Sequence, residues 1–225
     1  MARIGCYHAH YSNIEHIENA LSGYEVELVH FVDPGLDRIK MDADFNNETV
    51  ETKVRETLHW ISGCHVDAIL ITCTFFTAVY RENLHPLPIP VIKIDDPLFQ
   101  DICRSAEPVL FIFTNPNTVK GTMEQFQHYC QAARHTVLAE ARMLEHTFSL
   151  IMQGKKDEYT ALVSSGLKQA AQENPGVRIV AAQLSMAPAA RKVEQETGIP
   201  IGNHLNALTG YMIDKLSLGK KKYIR

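Results

Sequence analysis

The fold class turns on one stretch, Asp67-Ala-Ile-Leu-Ile-Thr-Cys-Thr-Phe-Phe-Thr77. Its apolar run, Ala68 to Ile71, is short, nearly continuous and rich in β-branched residues, which reads as a buried parallel strand. The run ends in Thr72-Cys73-Thr74, and the pattern then predicts a helix through Tyr80 and Leu84. A thiol and two hydroxyls, those of Thr74 and Thr77, therefore stand at the carboxyl end of a strand and the start of a helix. Ligands bind at that place in open α/β sheets. Free helix N–H groups there attract anions and lower a thiol pKa. The same residues also fit a plain packing role, because free cysteine is among the most buried residue types.

On either side of this strand the chain alternates strands and helices. Arg3 to Cys6 begins a strand, and Tyr7-His-Ala-His-Tyr11 forms the loop after it. Ser12 and Glu15 have capping-box spacing ahead of the stripe Ile14, Ile17, Leu21, which predicts a helix from Ser12. Glu25 to Phe31 reads as a second strand, closed by Asp33-Pro-Gly35. Residues 36–46 are polar and irregular, a surface or lid loop. Val50, Val54, Leu58 and Ile61 form a helical stripe behind Asn46 or Asn47 as cap. Beyond Cys73, Ile89 to Ile94 is the fourth strand, and Asp95-Asp-Pro97 marks a change of unit, followed by a helix to about Ala106. Val109 to Phe113 is a buried strand that breaks at Thr114-Asn-Pro-Asn-Thr118. A helix carries Val119, Met123, Phe126 and Cys130. Thr136 to Leu138 reads as a strand, followed by two helical patterns, a strand at Val177 to Ala182, the loop Ser185 to Pro188, a last strand over Gly198 to Gly202, and a C-terminal helix. This order argues an α/β fold with mainly parallel sheets flanked by helices.

The halves echo one another. Pro90 of an Ile-Pro strand follows Cys73 at nearly the interval at which Pro200 of Gly-Ile-Pro-Ile follows Leu184. The first strand precedes Cys73 by about the distance at which the Thr114 strand precedes Leu184. A pseudo-twofold pair of α/β units would bring four strand-end loops to one cleft: Tyr7–Tyr11, Cys73–Thr77, Thr114–Thr118 and Gln183–Pro188. Thr114-Asn-Pro-Asn-Thr118 offers hydroxyls, amides and N–H donors to a carboxylate or phosphate. It equally fits an ordinary Asn-Pro turn with Asn117 or Thr118 as helix cap.

Composition narrows the function. The chain has 225 residues, 45% hydrophobic and 21% charged, as expected of a globular protein with room for a core. A formal charge of −4 gives no footprint for nucleic acid. Five scattered cysteines without a C-x-x-C pair read as reduced thiols in a cytoplasmic protein. The N-terminus lacks a signal-peptide core, no apolar run reaches membrane-spanning length, and the basic tail Lys220–Arg225 reads as a solvated end. No G-x-G-x-x-G supports a dinucleotide. His8-Ala-His10 with Cys6 invites a metal reading, but no second ligand cluster follows at a recognisable spacing, so no metal is expected. Cys64-His65 lies at the wrong end of the Cys73 strand for a site, Cys103 and Cys130 fall in helices where packing is the better reading, and Trp60 looks like core or interface.

Several of these residues resemble the aspartate/glutamate racemase superfamily, which includes hydantoin racemases, maleate isomerases and arylmalonate decarboxylases. The matching pieces are Ile71-Thr-Cys-Thr74, Phe113-Thr-Asn-Pro-Asn-Thr118, and Gln183-Leu-Ser-Met-Ala-Pro188 followed by Gly198-Ile-Pro200. The resemblance covers nearly the whole chain in order and spacing. It implies two Rossmann-like lobes with the site between them, no cofactor, and Cys73 as one of two thiols facing a substrate α-carbon. Counted back from Pro188, the second cysteine position holds Leu184, and the family histidine falls on Met186. A leucine cannot carry a proton. In the first loop Cys6-Tyr7-His8 replaces an acidic residue of glutamate-type members, and Phe75 and Phe76 suit a substrate with an apolar group.

Three readings stay open: a one-thiol enzyme, an enzyme in which His8, His10 or His204 is the second base, and a degenerate binder of a small carboxylate. The expectation is an N-terminal lobe of residues 1–95 plus 206–225 and a C-terminal lobe of 96–205. The protein would be a cofactor-independent racemase-, isomerase- or decarboxylase-like enzyme. Cys73 and His8 are the catalytic candidates; Thr74, Thr77, Thr114, Asn115, Thr118 and Ser185 are the carboxylate or oxyanion donors. The expected partner is a small carboxylic acid, with no nucleic acid or membrane, and a homodimer fits the resemblance.

Overall fold

The computed structural model describes residues 1–39, 42, 43, 45–105 and 107–221. The chain divides into two compact units, Met1–Asp95 with Leu208–Arg225, and Asp96–Ala207. In the first, the elements are β1 (Ala2–His8), α1 (Asn13–Leu21), β2 (Val26–Val32), α2 (Gly35–Ile39), α3 (Asn47–Ser62), β3 (Ala68–Ile71), α4 (Thr74–Val79) and β4 (Val91–Lys93). In the second they are α5 (Asp96–Ser105), β5 (Val109–Phe113), α6 (Pro116–Ala132), β6 (Ala139–Met143), α7 (Thr147–Met152), α8 (Lys156–Glu173), β7 (Arg178–Ala181), a 3-10 turn (Leu184–Met186), α9 (Ala187–Thr197) and β8 (Gly202–Asn203). Helix α10 (His204–Leu216) begins in the second unit and ends in the first.

Each unit holds a four-stranded, wholly parallel sheet, ordered β2-β1-β3-β4 in the first and β6-β5-β7-β8 in the second. The same strand order in both sheets gives spatial form to the repeated succession of elements along the sequence. Parallel strands are buried on both faces, and the central ones are continuous apolar runs for that reason: every residue of β3 and β5 is buried. Alternate residues serve opposite faces. Leu110 and Ile112 pack with Val163, Leu167 and Val193, whereas Val109, Phe111 and Phe113 pack with Phe99 and Phe126. In the first unit Val50, Val54, Leu58 and Ile61 of α3 cover Ile69 and Ile71. Among the described residues no helix is long and apolar enough to cross a membrane.

Several local expectations are corrected. Strand β1 runs on to His8, because its pairing with β2 continues through Tyr7↔Phe31 and His8↔Val32. Ser12 makes no side-chain cap; its backbone is already helical, and its hydroxyl lies 2.8 Å from His10 Nδ1. Part of the expected loop 36–46 is the short helix α2, while Lys40, Met41 and Asp44 lie outside the described residues. So do Ala106, the expected end of α5, and Lys222–Arg225 of the basic tail. The helix after Cys73 stops at Val79, short of Leu84. Strand β6 starts after Leu138, which is exposed, and Gly198 ends α9 in the left-handed region (φ 71°), so the last strand shrinks to Gly202–Asn203. Trp60 is 70% exposed, which removes the core half of the expectation for it.

Candidate functional site

In the first unit the ends of β1, β3 and β4 gather one group of polar side chains. Thr72 N–H donates to Tyr7 O at 3.0 Å, the last β1–β3 bond before the chain leaves the sheet. Cys73 follows in extended conformation (φ −114°, ψ 117°) as the residue capping α4, and its carbonyl accepts Thr77 N–H at 2.9 Å. It is half-buried. Behind it, Thr77 Oγ1 donates to Asp95 Oδ2 at 3.0 Å and Thr74 Oγ1 to Asp95 Oδ1 at 3.3 Å. Asp95 is 1% exposed, so these hydroxyls offset the cost of burying its carboxyl. Asp95 went unread in the sequence, where Asp95-Asp-Pro97 signalled only a boundary. The usable signal was an acidic residue just past the Ile-Pro strand, at a carboxyl strand end.

His8 belongs to the same group but not to a loop. It is fully buried, with Nδ1 2.8 Å from Thr72 Oγ1 and Nε2 2.8 Å from His30 Nδ1. His30 Nε2 lies 3.0 Å from Glu18 Oε1. Burial, reinforced by His30, holds the His8 imidazole neutral, its pKa lowered to about 4. Asn13 Nδ2 donates to Thr72 Oγ1 at 3.3 Å. His10, the other member of the sequence pair, is exposed. The fold instead joins His8 to His30 on the neighbouring strand and brings Cys6, His8 and His30 together, with ligand atoms within 4.8 Å of one another.

The second unit gathers the remaining candidates. Gln183 Oε1 accepts from Thr114 N–H (2.6 Å), Asn115 N–H (2.9 Å) and Thr114 Oγ1 (2.7 Å). With the Thr114 proton committed to Gln183, the Tyr159 hydroxyl donates to Thr114 Oγ1 at 3.0 Å, and Ser185 Oγ donates to Tyr159 at 2.9 Å. Burial raises the Tyr159 pKa, so the phenol keeps its proton. Asn115, not Asn117 or Thr118, caps α6: its side chain accepts Asn117 N–H at 3.0 Å, with Pro116 opening the first turn. Thr118 Oγ1 donates to Asn115 O at 2.9 Å. Gln183 and Tyr159 were missed by sequence reasoning, which weighed strand-end residue types but not reach across a sheet. His204 is buried at the start of α10.

Strand register refines the comparison of the halves. Ile71 pairs with Lys93 as Ala181 pairs with Asn203, and Thr72 N–H donates to Tyr7 O as Ala182 N–H donates to Ile112 O. The place that Cys73 holds after β3 is thus held after β7 by Gln183, which is also extended (φ −137°, ψ 144°) and precedes a helical turn. Leu184 corresponds to Thr74. By either alignment the second unit presents no thiol there. Two cavities of about 370 and about 360 Å³ open beside α3, and neither is lined by Cys73, Thr74, Thr77 or Asp95.

No family model matches the sequence, and no curated protein matches it. Solved structures do. The aspartate racemase of Picrophilus torridus superposes with a TM-score of 0.71 over 99% of this chain and 97% of its own, at 10% identity. The glutamate racemase of Campylobacter jejuni gives 0.69 over 98% and 88%, at 13% identity. The allantoin racemase of Pseudomonas fluorescens gives 0.64 over 99% and 94%, at 15% identity. The chain has the fold of the aspartate/glutamate/hydantoin racemase superfamily. At these identities the likeness establishes the fold, and the chemistry has to be argued from the residues.

Proposed function

We propose that the protein is a cytoplasmic, racemase-like isomerase or lyase. It acts without a cofactor at the carbon next to the carboxylate of a small acid, with Cys73 as its acid/base thiol. The observation that carries this reading is the placement of Cys73: half-exposed, at a carboxyl strand end, backed by the Asp95–Thr74–Thr77 brace, in a fold shared with racemases. The Cys73 thiolate would take the α-proton, and the same thiol would return a proton to the carbanion, or protonate it after loss of carbon dioxide. Thr74 and Thr77 hold the Cys73 turn. His8, buried and engaged at both nitrogens, acts through Thr72 as a positioning residue. Thr114 and Asn115 N–H, now satisfied by Gln183, are donors suited to a carboxylate that displaces its amide, with Thr118 bonded to Asn115 and Ser185 linked to Thr114 through Tyr159.

A second reading, a binder of small carboxylates without turnover, is favoured by Gln183 and Leu184 standing where a second thiol would be. Proton exchange in D2O, followed by NMR over amino acids and substituted malonates, separates the two. Exchange without inversion, abolished in Cys73→Ser, supports one-thiol chemistry, and carbon dioxide release from a malonate supports the lyase form. Ligand-shifted resonances without exchange support the binder. Exchange that persists in Cys73→Ser sinks the assignment of the thiol.

A further inference from the structure

Successive residues of a strand face opposite sides, so Cys6 and His8 point from β1 to the same side of the sheet. In the β1–β2 ladder Cys6 is paired with His30, which places the imidazole of β2 beside both. The three ligand atoms lie within 4.8 Å of one another, with Cys6 and His8 buried and His30 half-buried. Helix α1 supplies Glu18, which meets His30 from outside.

The outer contacts engage the far nitrogens of both imidazoles. Thr72 Oγ1 lies 2.8 Å from His8 Nδ1 and 3.3 Å from Tyr7 O, so it holds the far nitrogen of His8 from the protein side. A carboxylate accepts, so His30 Nε2 donates to Glu18. The inner nitrogens, His8 Nε2 and His30 Nδ1, face each other at 2.8 Å. One proton joins them in a hydrogen bond, and a metal ion held by both lone pairs can replace that proton, which leaves to solvent. A hydrogen-bonded carboxylate and hydroxyl on the far nitrogens are the outer-shell partners that orient metal-bound histidines.

We propose that Cys6, His8 and His30 ligate a zinc ion through Sγ, Nε2 and Nδ1. Zinc bonds of about 2.0 Å to nitrogen and 2.3 Å to sulfur in tetrahedral geometry require separations of roughly 3.3 Å between the nitrogens and 3.6 Å from sulfur to nitrogen. The nitrogens part by about half an ångström, and Cys6 Sγ, whose contact to Ile4 O is a long 3.9 Å, moves in by up to about 1.2 Å. Sγ loses its proton to solvent as the sulfur–zinc bond forms, both imidazoles give lone pairs, and nothing is oxidised or reduced. Three protein ligands leave a fourth position for water or an anion. The ion ties β1 to β2 and fixes the His8–Thr72 contact one residue before Cys73. The proposal stands apart from the chemistry proposed for Cys73.

The test titrates Co²⁺ into the full-length, tag-free, reduced protein after chelator treatment. The expected result is a thiolate-to-cobalt charge-transfer band with the intense visible bands of a tetrahedral site, saturating at one ion per chain and bleached by Zn²⁺. The band should vanish in Cys6→Ala and persist in Cys73→Ser. Its absence from the wild type overturns the proposal, as does a band that survives Cys6→Ala. Should Cys6→Ala fail to fold, His30→Gln at the half-buried position decides: zinc affinity should fall by roughly tenfold or more, and an unchanged affinity overturns the site.

Discussion

Five thiols of one residue type are sorted by burial and neighbours. Cys6, Cys103 and Cys130 are buried, whereas Cys64 and Cys73 are half-buried. Cys103 and Cys130 lie 3.4 Å apart between α5 and α6, and burial together with Cys103 pushes the Cys130 thiol up to about 12. Iodoacetamide near neutral pH, read by peptide mass spectrometry, should therefore label Cys64 and Cys73 in the native protein and reach the other three only on unfolding. Native labelling of Cys130 would contradict this. Tyr159 is the hinge of the second polar group. Tyr159→Phe removes the donor to Thr114 and the acceptor for Ser185, while Thr114 keeps Gln183. Urea denaturation should show a loss of about 1 kcal/mol. Thr77→Val withdraws a hydroxyl from the buried Asp95 carboxyl and should cost more, about 1.5–3 kcal/mol by the same measurement.

At the scale of elements, two glycines make opposite predictions. A Cβ on Gly5 of β1 would stand 2.6 Å from Ile61 Cγ2, a stiff β-branched side chain fully buried under α3. Gly5→Ala should overpack that contact and cost about 1–3 kcal/mol in chemical denaturation. A Cβ on Gly166 of α8 would meet Leu144 Cδ2 at 2.6 Å, Cδ1 at 2.8 Å and Cγ at 3.2 Å, but that side chain is only partly buried and can turn aside as a whole. Alanine gains helix propensity of up to about 1 kcal/mol there, so Gly166→Ala should leave stability unchanged or raised. The long apolar strands and the α3 and α6 stripes were legible because burial repeats with the period of the element. The ends were not. Ser12 and Glu15 had the spacing of a capping box, yet Ser12 turned to His10; β1 outran its apolar stretch because β2 continued to pair with it.

The whole molecule is built from one continuous and one interrupted unit. Residues after Ala207 return to the first: Thr209 Oγ1 donates to Ala20 O, Glu25 N–H to Gly219 O, and Lys220 bridges Tyr24. A fragment of residues 96–207 should fold alone and give a dispersed NMR spectrum. Residues 1–95 alone should not, because the buried Leu208 and Met212 and these backbone bonds are missing. A dispersed spectrum from 1–95 would show that the returning helix is dispensable.

The α/β class, the doubled succession of strands and helices and the strand-end position of Cys73, Thr114 and Ser185 could be read along the chain, since each follows from periodicity. Their partners are set by the three-dimensional packing. Asp95 reaches Thr74 and Thr77, Gln183 fills the donors of Thr114 and Asn115, and His8 finds His30 and Cys6 rather than His10. Parallel pairing brings together residues far apart in the chain, in a register set by sheet hydrogen bonds and by which face each side chain takes. Neither is written in local spacing.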